Sequence, residues 1–190
     1  GMRGAMTDMY RCPDKLIKVC EMYVNQSLER AAVFARNSKN KRIFMALHRG
    51  SDGFMSLDQF KTFYWPTFKK VVLGLIDMGL TPVPFYEGIW NQRLEFLREF
   101  PKGKTIAHFA QSDMKKAKEV LGGHTCIMGD VPSSILQVGT VSEVEEYCKK
   151  LIDTCGKDGG LIVTHMPIDE ADPKLVKAMI DTTREYGAYR

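Results

Sequence analysis

The chain has 190 residues, of which 44% are hydrophobic and 26% charged, and its 27 basic and 23 acidic residues give a formal net charge of +4. This length and composition predict one globular domain and exclude the disordered, collagen-like and low-complexity classes of protein. No apolar run approaches the roughly 18 residues of a membrane helix. The basic residues are too dispersed to indicate a nucleic-acid surface. We therefore expect neither a membrane nor a nucleic acid as a partner.

Five cysteines are spread along the chain without a C-x-x-C pair, and their odd number leaves at least one of them unpaired. The start of the sequence, Met2-Arg3-Gly4, leads into polar residues and does not resemble a secretory signal. Together these observations predict a protein of the reducing cytoplasm. Gly1 before Met2 is typical of a residue that tag removal leaves behind.

The first half of the chain alternates between helical and strand-like patterns. Apolar residues at three- and four-residue steps predict a helix that begins at Pro13 and ends near Asn37, followed by a buried strand at 42–47. Ser56 and Gln59 have the spacing of a capping box, which begins a second helical stretch. Pro66 is expected to kink that stretch or to divide it in two.

The second half continues the alternation, with strands predicted at 81–86, 104–109, 125–128 and 161–164 and helices at 91–100, 112–121, 142–156 and 172–187. Ser142 and Glu145 form a second capping-box pattern, and Asp172-Pro173 supplies a helix cap with a proline at the first helical position. Apolar strands separated by helices predict a parallel sheet with helices outside. The five strands are too few for a (β/α)₈ barrel, which needs eight strands and about 250 residues. The patterns therefore predict a single α/β unit over residues 1–190, either an open sheet or an incomplete barrel.

Polar residues follow four of the five predicted strands. They are His48, Arg49 and Asp52 after the first strand, Glu87 after the second, Asp130 after the fourth, and His165 and Asp169 after the fifth. Function in parallel α/β folds collects at the carboxyl ends of strands, and carboxylates and imidazoles relay protons or ligate metals. We select Glu87, Asp130 and His165 as the candidate catalytic residues. The alternative is that these polar residues only cap helices or meet solvent.

Two other patterns favour structural roles. His124 and Cys126 have H-x-C spacing, but they lie at the start of a strand, where a core histidine and thiol are expected. An aromatic cluster surrounds Pro66 and favours core or interface packing. The glycine pairs precede strands, and the G-x-G-x-x-G and P-loop patterns of phosphate sites are absent from the sequence.

Several blocks of sequence, in the same order, resemble the uroporphyrinogen decarboxylase superfamily. They are Phe54-Met55-Ser56 through Tyr64-Trp65-Pro66, Pro84-Phe85-Tyr86-Glu87-Gly88, Ile127-Met128-Gly129-Asp130-Val131-Pro132, and Val138-Gly139-Thr140 with Glu143-Val144. This superfamily contains the decarboxylase of haem synthesis and the zinc-dependent methyltransferases that move methyl groups from corrinoid proteins to thiols. The resemblance implies a TIM barrel and covers the C-terminal portion of the family's domain. The decarboxylase's early arginine-rich substrate loop has no counterpart here.

The resemblance also implies roles for the candidate residues. The H-x-C zinc pair of the methyltransferases aligns with Phe85 and Glu87, and their final metal-binding cysteine falls near His165. Asp130 stands where the family usually has asparagine. Since the thiolate ligands are replaced, the resemblance predicts that Glu87 and His165 hold a divalent metal such as zinc through a different ligand set.

Three functions follow as alternatives. The chain is expected to be all or part of a corrinoid-dependent methyltransferase-like enzyme, with a methyl donor, a thiol and a corrinoid protein as its partners. The second alternative is a decarboxylase with a tetrapyrrole substrate. The third is a non-catalytic half-barrel that acts through dimerisation, since open strand edges pair readily. Either a homodimer or a missing N-terminal half is expected to complete the barrel, and a truncated gene would account for the opening residues.

Overall fold

The computed structural model describes residues 1–166 and 170–188. Its helices are α1 (Met2–Arg11), α2 (Pro13–Asn37), α3 (Leu57–Gln59), α4 (Trp65–Asp77), α5 (Met114–Leu121), α6 (Ser133–Val138), α7 (Val141–Cys155) and α8 (Pro173–Tyr186). The strands are β1 (Arg42–Leu47), β2 (Thr81–Tyr86), β3 (Ile106–Phe109), β4 (Cys126–Val131) and β5 (Leu161–His165). A π-helical turn, Phe60–Tyr64, joins α3 to α4, and a 3₁₀ helix, Leu94–Glu99, lies between β2 and β3. Within these described ranges, no helix has the length and apolar character that crossing a membrane requires.

The five strands form one parallel sheet in the order β1-β2-β3-β4-β5. Each strand therefore pairs with the next strand along the chain. That order is found in the wall of a TIM barrel, whereas a doubly wound sheet reverses its order at a switch point. In the part of the chain that the structure describes, the sheet ends at β1 on one side and β5 on the other. The predicted fold class, a TIM-barrel-type α/β fold with about five parallel strands, is confirmed.

The two faces of the sheet differ strongly in burial. Under the helices, Tyr86, Phe109 and Ile127 are each 1% exposed. On the opposite face, Phe44 is 58% exposed and Ile162 is 38% exposed. In a complete barrel this second face is the packed interior. We call it the uncovered face, because the described residues place nothing over these two side chains.

Aromatic side chains pack around Phe60, which is completely buried. Its ring lies 5.3 Å from the ring of Phe96, 5.4 Å from Tyr64, and 5.8 Å from both Trp65 and Trp90, measured between centroids. Edge-to-face and offset pairs at these separations stabilise a core beyond the burial of apolar area. The core interpretation of the aromatic cluster around Pro66 is confirmed.

Pro66 lies in the first turn of α4, directly after the π-helical turn. A proline has no N–H for the helical ladder, and its ring clashes with the carbonyl one turn earlier. A π-helical turn widens the helix locally. The stretch after Ser56 is accordingly divided, as predicted, and the Ser56–Gln59 capping box is present.

Three sequence predictions of helices need correction. The capping box of α7 uses Thr140 and Glu143, not Ser142 and Glu145, because Thr140 has the extended backbone of a cap residue (φ −110°, ψ 160°). The helix predicted at 112–121 begins two residues later, at Met114, with Asp113 as its cap. The helix predicted at 91–100 is the shorter 3₁₀ helix, and both α1 and α6 were missed. The predicted cap at Asp172 is confirmed, since its carboxylate accepts a hydrogen bond from the Lys174 N–H at 2.8 Å.

Candidate functional site

The register of β1 and β2 places His48 beside Glu87. Leu47 pairs with Tyr86 at the carboxyl ends of the two parallel strands, so the next residue of each strand emerges at the same edge of the sheet. His48 Nδ1 lies 2.5 Å from Glu87 Oε2. The two side chains are 65% and 43% exposed, respectively. The edge therefore carries an imidazole–carboxylate pair that solvent and a ligand can reach.

A buried network ties together the two loops that carry this pair. The Asp52 N–H donates to the Ile89 carbonyl at 2.7 Å, and the Asp52 carboxylate accepts from the Gln92 N–H at 3.0 Å. The same carboxylate forms an ion pair with the guanidinium of Arg93, whose side chain is 1% exposed. Arg93 also donates to the Met55 carbonyl at 2.7 Å. The position of Asp52 after a strand is visible in the sequence, but its link to Gln92 and Arg93 is not.

Hydrogen bonds of Trp90 fix the main chain of Glu87. The indole N–H of Trp90 donates to the Glu87 carbonyl at 3.0 Å, and the Trp90 backbone N–H donates to Ser112 Oγ at 3.0 Å. Gly88 has a φ of +78°, and a Cβ there would lie 3.1 Å from the Cβ of Ser51. A larger residue at this position would both strain the backbone and press the two loops apart. Glu87 is thus anchored between fixed neighbours.

Asp130 lies in β4 beside Tyr147 of α7. The Tyr147 hydroxyl donates to Asp130 Oδ1 at 2.9 Å. Burial raises the pKa of the Asp130 carboxyl to about 6, although the hydrogen bond from Tyr147 works in the opposite direction. A carboxyl with this pKa exchanges its proton near neutral pH, as a general acid or base must.

His165 ends β5, and its Nδ1 lies 2.5 Å from the carbonyl oxygen of Met166. It is close enough to His108 of β3 to affect that imidazole: burial and, second, the charge of His165 lower the pKa of His108. His108 is 5% exposed, and its ring packs in a tilted arrangement against Phe85, at 4.7 Å between ring centroids. His108 could not be selected from the sequence, because it lies inside a strand and not after one. Asp169, also noted from the sequence, lies outside the described residues.

Glu87, Asp130 and His165 all lie at or near the carboxyl ends of their strands, β2, β4 and β5. Their hydrogen-bond partners differ: His48 for Glu87, Tyr147 for Asp130 and the Met166 carbonyl for His165. Over residues 1–166 and 170–188, no hydrogen bond or ion pair joins any two of the three. Their joint catalytic role stays a prediction.

The prediction that Glu87 and His165 hold a metal can be compared with the ligand side chains that the structure places near one another. Among the residues that the structure describes, no group of three or more His, Cys, Asp or Glu side chains is arranged to hold a metal ion. Zinc sites in proteins use three or four such ligands. The described donors therefore do not fit a complete zinc site, and we derive no chemical step through a metal. Binding by Glu87 and His165 stays a prediction.

We predict that Asp130→Asn stabilises the protein at neutral pH by about 1–2 kcal/mol, with allowance for solvent screening of a partly exposed group. The folded-state pKa of about 6 is above the ordinary value of 3.8, so the folded protein binds the extra proton. The stability that Asp130 contributes is complete below about pH 4 and is lost as the pH rises towards and through 6. Asparagine cannot ionise and keeps an oxygen for the Tyr147 hydroxyl.

Urea unfolding at pH 5.0 and pH 7.5 measures this effect as the difference in unfolding free energy between variant and wild type. The difference should be larger at pH 7.5. The matched control, Asp181→Asn at an exposed helix position, should show little change between the two pH values. An equal difference at both pH values would show that Asp130 has no raised pKa.

The fold and its polar edge define a class of protein: a (β/α)-barrel chain with imidazole and carboxylate groups at the carboxyl ends of its strands. The family model described as Uroporphyrinogen decarboxylase (URO-D) matches residues 1–186, and the chain therefore belongs to this family. No curated protein matches the sequence.

Among solved structures, the chain is similar to a methyltransferase from Methanosarcina mazei, with a TM-score of 0.80 and 21% sequence identity. The match covers 98% of this chain and 54% of the methyltransferase chain. At this level of identity the likeness shows the fold alone. The chain thus spans about half the length of the methyltransferase that it resembles.

Proposed function

We propose that this chain is all or part of a corrinoid-dependent methyltransferase-like enzyme of the uroporphyrinogen decarboxylase superfamily. Its substrates would be a methyl donor, carried by a corrinoid protein, and a thiol acceptor. The observation that carries the proposal is the His48–Glu87 pair at the carboxyl edge of a sheet whose fold is similar to that of a methyltransferase. The five cysteines, all in the described residues, are free thiols, which agrees with the proposed cytoplasmic location.

Methyl transfer to a thiol needs a thiolate, because the neutral thiol is a weak nucleophile. The acceptor must therefore lose a proton within the site. Two groups at this edge can take part in that transfer: the imidazole of His48, and the Asp130 carboxyl with its pKa of about 6. General base catalysis of this kind contributes roughly 10²–10⁴-fold to a rate.

The direct test is to incubate the protein with methylcobalamin and 2-mercaptoethanol and to measure the methyl thioether by mass spectrometry. Formation of the thioether at a rate above that of the protein-free mixture would support the proposal. A parallel incubation with uroporphyrinogen distinguishes the second alternative. Loss of carboxyl groups from the tetrapyrrole, without thioether formation, would replace the methyltransferase proposal by a decarboxylase.

We predict that Glu87→Ala lowers the rate of thioether formation by about 10-fold, in the range usual for removing the partner that orients an imidazole. The substitution removes the acceptor for His48 Nδ1, so the imidazole loses its fixed orientation. The matched control is Glu95→Ala, which removes an exposed carboxylate from the 3₁₀ helix. Equal rates for the Glu87→Ala variant and the wild type would show that Glu87 has no role in the reaction.

The uncovered face leads to a second part of the proposal, that either a second copy of this chain or an N-terminal half completes the barrel. Phe44 and Ile162 are exposed on a face that a closed barrel buries, and β1 and β5 form the two edges of the described sheet. A second copy of this chain is the partner that purified protein can test. Native mass spectrometry should show a dimer, and a divalent metal retained with it would support the metal prediction. A metal-free monomer would favour an N-terminal half as the segment that completes the barrel.

A further inference from the structure

We propose that His48 is the residue that contacts the acceptor substrate and takes its proton, and that Glu87 is a positioning residue for His48. The class of acceptor, a thiol, rests on the proposed function. The assignment of the two roles rests on the geometry of the pair. The sequence places both residues after strands but carries no sign of their contact.

The hydrogen bond determines which nitrogen of His48 is available. Glu87 Oε2 is an acceptor and lies 2.5 Å from Nδ1, so Nδ1 carries the proton and donates. Nε2 of the neutral ring is then a hydrogen-bond acceptor. No described residue forms a hydrogen bond to this nitrogen. The 65% exposure of the side chain leaves it open to a ligand at the carboxyl edge.

The pair itself is exposed, but buried contacts join the two loops that carry it. The Asp52–Arg93 ion pair is buried at 10% and 1% exposure and ties the loop after β1 to the loop after β2. Arg93 also lies over the Phe60 ring, 4.7 Å from its centroid, at the centre of the aromatic core. Preorganised sites have this arrangement, in which accessible reactive groups stand on supports locked by packing and hydrogen bonds.

The other three histidines are less suited to contact a substrate. His108 is 5% exposed and lies in the middle of the sheet. The His124 ring bonds to the Phe100 carbonyl at 2.9 Å, before the start of β4 and therefore at the opposite edge. His165 is half-buried, and its Nδ1 faces the Met166 carbonyl. His48 alone among the four combines exposure with a carboxylate partner.

The proposed step is a single proton transfer. The thiol of the acceptor donates a hydrogen bond to His48 Nε2. The S–H bond then breaks, its electron pair stays on sulfur, and the proton forms a bond to Nε2. The imidazolium so formed lies beside the Glu87 carboxylate, whose negative charge stabilises it, and the thiolate is the nucleophile for methyl transfer.

The first experiment requires no activity: two-dimensional ¹H–¹⁵N NMR of the histidine side chains at pH 8 reports which ring nitrogen carries the proton. With only four histidines in the chain, the signals can be assigned by substitution. We expect His48 to be protonated on Nδ1 in the wild type and to shift towards the Nε2–H form in Glu87→Ala. In Glu95→Ala it should remain as in the wild type. An Nε2–H tautomer in the wild type would overturn the proposal.

The second experiment tests the proton transfer itself. His48→Ala should lower the rate of thioether formation by about 100-fold. Added imidazole should raise the rate of this variant at least about 10-fold, since free imidazole can occupy the vacated space. The control, His124→Ala, should show no gain from imidazole. Full activity of His48→Ala, or a loss that imidazole does not restore, would overturn the assignment of His48 as the base. If the wild type is inactive although native mass spectrometry shows the completed dimer, the proposed function is refuted and the substrate role of His48 with it. The NMR result decides separately whether Glu87 positions His48.

Discussion

Asp52→Ala is expected to lower the free energy of unfolding by about 3–5 kcal/mol, which is the usual cost of breaking a buried ion pair from one side. The substitution leaves the Arg93 guanidinium, 1% exposed, without its carboxylate. It also removes the acceptor of the Gln92 N–H. Urea unfolding followed by circular dichroism measures the change.

Two control variants test whether the loss of stability in Asp52→Ala comes from leaving the buried charge of Arg93 without a partner. Asp181→Ala breaks an exposed pair with Lys177 and should cost less than about 1 kcal/mol. The double variant Asp52→Leu with Arg93→Met removes both buried charges and should be more stable than Asp52→Ala alone. If the double variant were the less stable of the two, an uncompensated charge could not be the source of the loss.

Gly129→Ala is expected to destabilise the protein by about 2–5 kcal/mol through backbone strain and overpacking together. Gly129 has a φ of +150°, and a Cβ at this position would lie 2.7 Å from the carbonyl oxygen of Phe109 on the neighbouring strand. That oxygen belongs to the main chain of β3 and cannot move aside without disturbing the strand.

The matched control is Gly53→Ala. A Cβ added there meets nothing within 4 Å, and its φ is not in the region that favours glycine. Its unfolding free energy should change by no more than about 1 kcal/mol. A similar loss in both variants would contradict the steric explanation at Gly129, and the thermal midpoints of the two variants give an independent check.

The strands were predictable because each is a short apolar run between clear breaks. The predicted strands at 42–47 and 81–86 coincide with β1 and β2, and the predicted end of β3 is also its observed end. The prediction for β4 stopped at 128, since Gly129 and Asp130 do not resemble strand residues, yet β4 continues to Val131. Tertiary pairing with β5 holds these two residues in the sheet, with Gly129 opposite Val163 and Asp130 opposite Thr164.

The site was predictable only in part. The rule that function lies after strands selects His48, Glu87 and His165 as separate candidates. The sequence does not show that Leu47 and Tyr86 are in register, and therefore cannot show that His48 and Glu87 touch. Arg93 escaped notice because burying an arginine requires a specific partner 41 positions away, and single-sequence patterns carry no information about such pairings.

The sequential order of the five strands has a consequence for how the chain folds. Every strand pairs with the next strand along the chain. Each pairing therefore closes a loop of only one β–α connection, and no pairing joins strands that are further apart in sequence. Closing a loop costs entropy that grows with its length, and short closures favour fast folding. The slowest closure in an eight-stranded barrel joins its first and last strands. The described sheet forms without that closure, so its β/α units can assemble one after another along the chain.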